Sequence, residues 1–373
     1  MKKLFILIFC FISLVTRAQQ EHSHRLERAV KFPDVPGFAT MKCDLHEHTV
    51  FSDGHVWPDI RVMEALMDGL DAISLTEHLE YQPHKKDIPH PDRNRSYELA
   101  LEEAKGHNLI IVRGSEITRK MPPGHCNAVF IEDANQLLVA DSVEVFRAAK
   151  KQGAFVFWNH PNWISQRKDG VTTLTDMHRL LIKEKLLDGI EVVNGDTYSD
   201  ESLQLALDNN LTIMGTSDIH ELIDWDYKVP YGGHRPITLV FAKERTAAAI
   251  KDGLVNHRTV AFFKDLLIGR EEYLSPLLQQ SLKITSAKYM GKSTVLEVEI
   301  ENLTSCAFTL FNKTGFTFHD HADVITVAPG AKTTLQVKTI NQLDAIDLKF
   351  EVVNAITAPH KHPDIILKGA VTN

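Results

Sequence analysis

Cysteine is scarce, with four residues in a chain of 373, and Cys10 lies in an apolar N-terminal run. The other three, Cys43, Cys126 and Cys306, are an odd and widely spaced set, which excludes the disulfide framework that staples small secreted domains. Cys43 and Cys126 stand beside metal-competent residues but are expected to be small buried apolar side chains rather than ligands. Positive charge is also short. Forty-one Lys and Arg against 49 Asp and Glu leave a formal net charge of −8. A general affinity for nucleic acid or for an anionic membrane surface is therefore not expected. Long apolar runs are missing except at the N-terminus, so no stable membrane insertion is expected. There Met1-Lys2-Lys3, the run Leu4 to Val15 and Thr16-Arg17-Ala18-Gln19 have the form of a secretory signal ending at Ala18. The run is shorter than the roughly 20 residues that span a bilayer. Residues 1–18 are thus expected to direct export to the periplasm or beyond, with 19–40 as a lead-in.

The remaining chain is organised in two parts. From 41 to 270, short β-branched runs alternate with amphipathic stretches, the pattern of repeated βα units. Strands are expected at Lys42 to Leu45, Ala72 to Leu75, Leu109 to Val112, Phe155 to Trp158, Gly189 to Val193, Thr212 to Met214 and Ile237 to Phe241. Helical patterns lie between them, and an α/β barrel is the natural architecture, although a doubly wound sheet gives a similar pattern. After a connector near Arg270 to Gln280, residues 281–373 alternate without helices and are expected to form a small antiparallel β domain, sandwich-like.

Metal-competent residues cluster at the ends of the expected strands. The first ends in Asp44-Leu45-His46-Glu47-His48, with Asp53 close behind; the next in Thr76-Glu77-His78; the third in Gly114-Ser115-Glu116. Asn159-His160-Pro161 and Ser217-Asp218-Ile219-His220 close later strands, and His125 sits in Gly124-His125-Cys126. In an α/β barrel the carboxyl ends of the strands share one face, which carries the active site. His46 and His48 alternate on an extended segment and point the same way. By contrast, His84, His90, His319, His321, His360 and His362 fall in polar stretches outside this pattern.

These motifs, in this order over residues 40–265, resemble the polymerase and histidinol phosphatase (PHP) superfamily. The resemblance implies a distorted barrel of seven βα units carrying two to three divalent metal ions. It implies that His46, His48, Glu116 and Asp218 hold one ion, that Glu116, bridging, with His125 and His160 holds a second, and that Asp53, His78 and His220 hold a third. Mixed nitrogen and oxygen donors suit manganese, zinc or iron. Three divalent ions outweigh three carboxylates, so an anionic phosphate ester is attracted, and a hydroxide bridging ions roughly 3.5–4 Å apart is the expected nucleophile. Arg235, in Gly233-His234-Arg235-Pro236, is a candidate for bidentate phosphate recognition, and His234 for protonating the leaving group. Trp163, Trp225 and Tyr231 are candidates for an apolar wall against the ester substituent.

The export signal, the β-rich tail and the TEH, SDIH and HRP motifs are most similar to the exported Sb-PDE-type phosphodiesterases. A small phosphate ester is therefore the expected substrate, with phosphodiester hydrolysis the expected reaction. The same chemistry allows a histidinol-phosphatase-like monoesterase, or an amidase or carbamate hydrolase. A non-enzymatic exported binding protein is the remaining alternative, and nine intact candidate ligands count against it.

Overall fold

The computed structural model describes residues 28–372; the expected secretory signal lies outside them. No helix among the described residues is long and apolar enough to cross a membrane. The first part contains β1 (Ala39–Glu47), α1 (Pro58–Met67), β2 (Ala72–Leu75), α2 (Arg95–Glu103), β3 (Ile110–Ile111), β4 (Gly114–Ile117), β5 (Cys126–Val129) and α3 (Glu144–Lys151). It continues through β6 (Phe155–Trp158), α4 (Asp176–Lys183), β7 (Gly189–Asn194), β8 (Thr197–Tyr198), α5 (Asp200–Asp208) and β9 (Thr212–Thr216). It ends with α6 (Ile223–Asp226), β10 (Ile237–Ala242), α7 (Ala247–Val255), β11 (Thr259–Phe263), β12 (Leu266–Gly269) and α8 (Glu271–Ser281). Local chemistry sets several helix starts: Pro58 stands at the first position of α1, and Thr175, Ser199 and Thr246 accept backbone N–H groups at the starts of α4, α5 and α7.

One sheet runs β12–β11–β10–β1–β2–β3, and a second runs β4–β5–β6–β7–β8 with β9 also on β7. The two curl towards each other. On one side His78 and Glu116 pair across the gap between β2 and β4. On the other, Thr238 of β10 and Thr259 of β11 donate their hydroxyls to the carbonyls of Gly215 and Ile213 in β9, each at 2.8 Å. The result is an α/β barrel, distorted because β1–β10, β10–β11, β4–β5 and β5–β6 are antiparallel.

Two expectations fail locally. The stretch Arg270 to Gln280 is not a connector but helix α8, whose Leu274, Leu277 and Leu278 are fully buried. Pro276 hides this in the sequence, yet the i, i+3, i+4 apolar spacing outweighs it. Glu116 does not follow the third strand; it lies within β4, whose hairpin with β5 carries too few β-branched residues to announce itself.

The second part contains β13 (Leu282–Tyr289), β14 (Val295–Asn302), β15 (Phe308–Asn312), β16 (Thr317–Phe318), β17 (Val324–Val327) and β18 (Lys332–Lys338). It closes with β19 (Ala345–Val352), β20 (Ala355–Ile356) and β21 (Asp364–Ala370). Two four-stranded sheets, β13–β14–β18–β16 and β17–β15–β19–β21, form an all-β sandwich. Leu296, Val298 and Ile300 of one sheet and Leu348, Phe350 and Val352 of the other are buried at every second residue, as packed sheets require. The sandwich is joined firmly to the barrel, since β20 pairs with β12 and the buried leucines of α8 belong to a core shared by both.

Candidate metal centre

All nine expected ligands converge at one end of the barrel. His46 and His48 are fully buried, with their Nε2 atoms 3.1 Å apart. A tight turn follows, in which Ser52 and Gly54 donate to the Thr49 carbonyl, each at 3.0 Å. A Cβ on Gly54 would lie 2.7 Å from the His48 carbonyl carbon, so only glycine lets this loop fold back on β1. The turn delivers Asp53, whose oxygens lie 3.3 Å from His78 Nε2 and 3.1 Å from His220 Nε2.

Glu116 is the hub. Its Oε1 lies 3.0 Å from His125 Nδ1, 3.5 Å from His160 Nε2 and 3.7 Å from His46 Nε2. Its Oε2 contacts His78 Nδ1 and lies 3.9 Å from His48 Nε2. Asp218 Oδ1 stands 3.1 Å from both His46 Nε2 and His48 Nε2. His160 (φ 28°) and Asp218 (φ 51°) have left-handed backbones, a strained state that the surrounding fold must enforce.

Three overlapping groups have donor atoms close enough to share an ion: His48, Asp53, His78 and His220; His46, His48 and Glu116; and His78, Glu116 and His125. His48 therefore reaches the Asp53 group as well as the His46 group, and His78 reaches Glu116. The donor set fits divalent ions on a second ground. Asp53 Oδ1, Glu116 Oε2 and His125 Nδ1 are buried and close to ring nitrogens or carboxylate oxygens of the cluster but make no aligned hydrogen bond with them, a costly state that a bound cation relieves.

The charges are poised accordingly. Burial alone would raise the Glu116 carboxyl, but His78 and His125 hold it well below the usual carboxylate range. Burial is likewise overcome at Asp218 by His46 and His48. At His46 the burial penalty is outweighed by Asp218 and Glu191, which push its pKa up, whereas burial and the neighbouring His220 depress His48 to about 3. The carboxylates are thus anionic donors, and His48 offers a neutral imidazole.

Several supporting residues escaped the sequence reading. Glu191 of β7 lies 2.8 Å from His46 Nδ1, and its other oxygen accepts the His160 amide at 2.6 Å. Glu77 accepts from the hydroxyls of Thr49 and Ser52, each at 2.5 Å, and Ser52 Oγ lies 3.2 Å from His48 Nδ1. Asn159 donates to Glu116 Oε1 at 2.8 Å. A lone glutamate in the apolar run Gly189-Ile190-Glu191-Val192-Val193 was the available signal, because a buried carboxylate needs a partner.

The structure corrects two further expectations. Arg235 does not face a substrate: it is buried, with Nε 2.9 Å from Asp68 and Nη1 2.6 Å from Glu47 and 3.3 Å from Asp44. Neutralising those carboxylates uses its charge. His234 stacks on Phe262 with ring centroids 4.1 Å apart, and its ring nitrogens lie within hydrogen-bonding distance of the carbonyls of Arg235 and Lys264, so neither nitrogen is free to protonate a leaving group. Of the candidate wall residues, Trp163 is half-exposed and stands beside the rings of His125 and His160, at centroid distances of 5.7 and 5.1 Å. Tyr81, also half-exposed, stands 5.7 Å from His78. Tyr231 instead lines a cavity of about 580 Å³ against the β sandwich, and Trp225 is exposed on α6. Cys43, Cys126 and Cys306 are buried and free.

The Ig-like domain family DUF5001 matches residues 282–368. The chain is similar to a solved two-domain protein of Bacteroides vulgatus described as containing a predicted PHP-like metal-dependent phosphoesterase, with 43% identity, TM-score 0.84, and coverage of 93% of this chain and 100% of that one. A structure of PsfC from Pseudomonas syringae matches at 18% identity and TM-score 0.42, over 60% of this chain and 92% of that one. A stretch of 85 residues is 34% identical to the uncharacterized protein MJ1295 of Methanocaldococcus jannaschii; it is 22% of this chain and spans only 36% of that protein's length.

Proposed function

We propose that this chain, which belongs to the family of PHP-like metal-dependent phosphoesterases, is an exported phosphodiesterase working with three divalent ions. The observation that carries this reading is Glu116, a buried carboxylate within 4 Å of ring nitrogens from His46, His48, His78, His125 and His160. A carboxylate so surrounded is suited to joining neighbouring ions. Divalent ions held there would supply a water deprotonated near neutral pH and would offset the charge of a phosphoryl group.

Side-chain exposure supports one direction of approach. His46, His48 and Glu116 side chains have no exposure, whereas Asp218, Asp53 and His220 retain 18%, 25% and 33%. A phosphate ester therefore enters over the Asp53–Asp218–His220 side, and Trp163 and Tyr81 at the rim offer apolar surface to its substituent. We place the chain in the Sb-PDE-type branch on its export signal and β-rich tail; manganese, zinc or iron each fit the donors.

Elemental analysis of purified protein, paired with turnover of bis(p-nitrophenyl) phosphate before and after chelation, tests the proposal. Two to three ions per chain, and activity lost on chelation and in His46→Ala, are the expected results. Metal with faster turnover of a monoester or an aryl amide would replace the diesterase with one of those activities. No bound metal after reconstitution would overturn the centre itself.

A further inference from the structure

Arg61 is a fully buried arginine in α1, and its partners are mostly backbone. Its Nε donates to the His48 carbonyl at 2.9 Å, Nη1 to the Glu221 carbonyl at 2.7 Å and Nη2 to the Ile219 carbonyl at 3.2 Å. Glu64, one helical turn on, accepts Arg61 Nη1 through Oε2 at 2.8 Å and takes the Ile223 amide on Oε1 at 2.8 Å. The guanidinium thus spans two loops that carry ligands, one with His48 and Asp53, the other with Asp218 and His220. Regular strand pairing has ended at this point. The Ile219 carbonyl also accepts the His48 amide at 3.0 Å, and the His220 carbonyl accepts the His55 amide at 2.9 Å. These bonds, with the contacts of His55 to Glu221 and of Asp53 to His220, join the loops to each other, whereas Arg61 and Glu64 anchor both to a helix.

We propose that Arg61, oriented by Glu64, is a positioning residue that sets the distance between these loops and so governs the ion held by His48, Asp53, His78 and His220. One observation on the rings supports this. His48 and His220 stack with centroids 4.3 Å apart and planes at 20°, a register that depends on the loop spacing Arg61 spans. The group His78, Glu116 and His125 draws on neither loop, although it shares His78 with the group of His48, Asp53 and His220, so it is the least affected of the three. A buried arginine meeting only backbone and one glutamate would be a costly way to fill space, since an apolar side chain of similar size avoids its desolvation.

The proposal rests on reading the cluster as a metal centre, and its test separates the two. Metal-free full-length protein, Arg61→Lys and Glu64→Gln are titrated with Co²⁺, following the visible spectrum and the binding heats. In both variants at least one binding step is expected to weaken by about 10- to 100-fold, the range for losing a group that orients a ligand, and a second step that also draws on His48 is expected to weaken with it, while the step that uses His78, Glu116 and His125 stays within twofold of the parent. The weakened step should carry an altered Co²⁺ spectrum. A purely structural role would lower the melting temperature of the metal-free protein and leave each affinity and spectrum unchanged; that result would overturn the assignment. Should the parent bind no Co²⁺, the metal reading falls and this inference with it.

Discussion

Glu191 holds His46 in place: Oε1 lies 2.8 Å from His46 Nδ1 and also accepts Thr216 Oγ1 at 2.6 Å, while Oε2 takes the His160 amide at 2.6 Å and Asn194 Nδ2 at 2.9 Å. One carboxylate therefore orients two of the histidines that face Glu116. With Nδ1 of His46 donating to Glu191, the Nε2 lone pair is left for the cluster. Glu191→Gln keeps the size and removes the charge. Metal affinity, measured by competition with a chromogenic chelator, is expected to fall about 10- to 100-fold, with little change in the melting temperature of the metal-free protein. Equal affinity in parent and variant would remove Glu191 from the centre.

Arg235 makes a different prediction from the one its sequence context invites. As a substrate ligand, its replacement would raise KM and spare stability. Buried among Asp44, Glu47 and Asp68, it leaves Asp44 and Glu47 without their ion-pair partner when removed, while Asp68 keeps Arg28 at 2.6 Å; breaking such a network costs about 3–5 kcal/mol. Arg235→Met is expected to lower the urea midpoint steeply, and whatever fraction stays folded should keep its KM. A stable variant with a raised KM would restore the substrate role.

The clustered residues were legible because chemistry and periodicity coincide at the strand ends: His46 and His48 close β1, His78 follows β2, His160 follows β6, and Asp218 and His220 follow β9. Among the strands that failed to show, β4 and β5 read GSEI and CNAV, four residues each with little alternation. Glu191 was hidden for the opposite reason, sitting inside a strand whose apolar neighbours dominate the pattern. Arg235 misled because a guanidinium after paired glycines has the same local sequence whether it meets a phosphate or three carboxylates. The partners that decide the matter lie far along the chain, and spacing alone does not carry that information.

His178 supplies a pH dependence away from the centre. Its ring is buried and stacks on Trp158 at 3.8 Å; Nε2 donates to the Pro123 carbonyl at 2.7 Å, and Nδ1 lies 2.7 Å from Thr175 Oγ1 and accepts the Thr175 amide at 3.2 Å. The neutral ring satisfies every partner. Burial, with Arg167 and Arg179 nearby, lowers its pKa from 6.5 to about 4. Below pH 6.5 the unfolded chain binds a proton that the folded one refuses. The stabilising contribution is therefore complete above the unfolded value and is lost as pH falls towards 4, by up to about 3 kcal/mol. Urea midpoints of parent and His178→Phe, compared at pH 7.5 and 4.5, should converge or cross at the lower pH. Parallel pH curves would show that His178 does not titrate this way.

Gly215 sets how closely the barrel shuts behind the centre. An added Cβ there would stand 2.8 Å from Ala261 Cβ and 3.1 Å from the Ile237 carbonyl oxygen, both in strands facing β9. Gly215 also carries the Thr238 hydrogen bonds that join β9 to β10, at 2.9 Å through its amide and 2.8 Å through its carbonyl. Gly215→Ala must push β9 outward, and overpacking of this kind costs about 1–3 kcal/mol. Because Asp218 and His220 follow directly on β9, the same shift should move them from their partners and weaken metal binding as well. The clash has an identifiable second party, so the double variant Gly215→Ala/Ala261→Gly separates steric from backbone effects. Recovery of part of the stability, together with metal affinity, would locate the cost at the Ala261 methyl. If the double variant instead shows the two losses simply added, the Ala261 contact does not limit closure, and the Ile237 carbonyl side becomes the constraint.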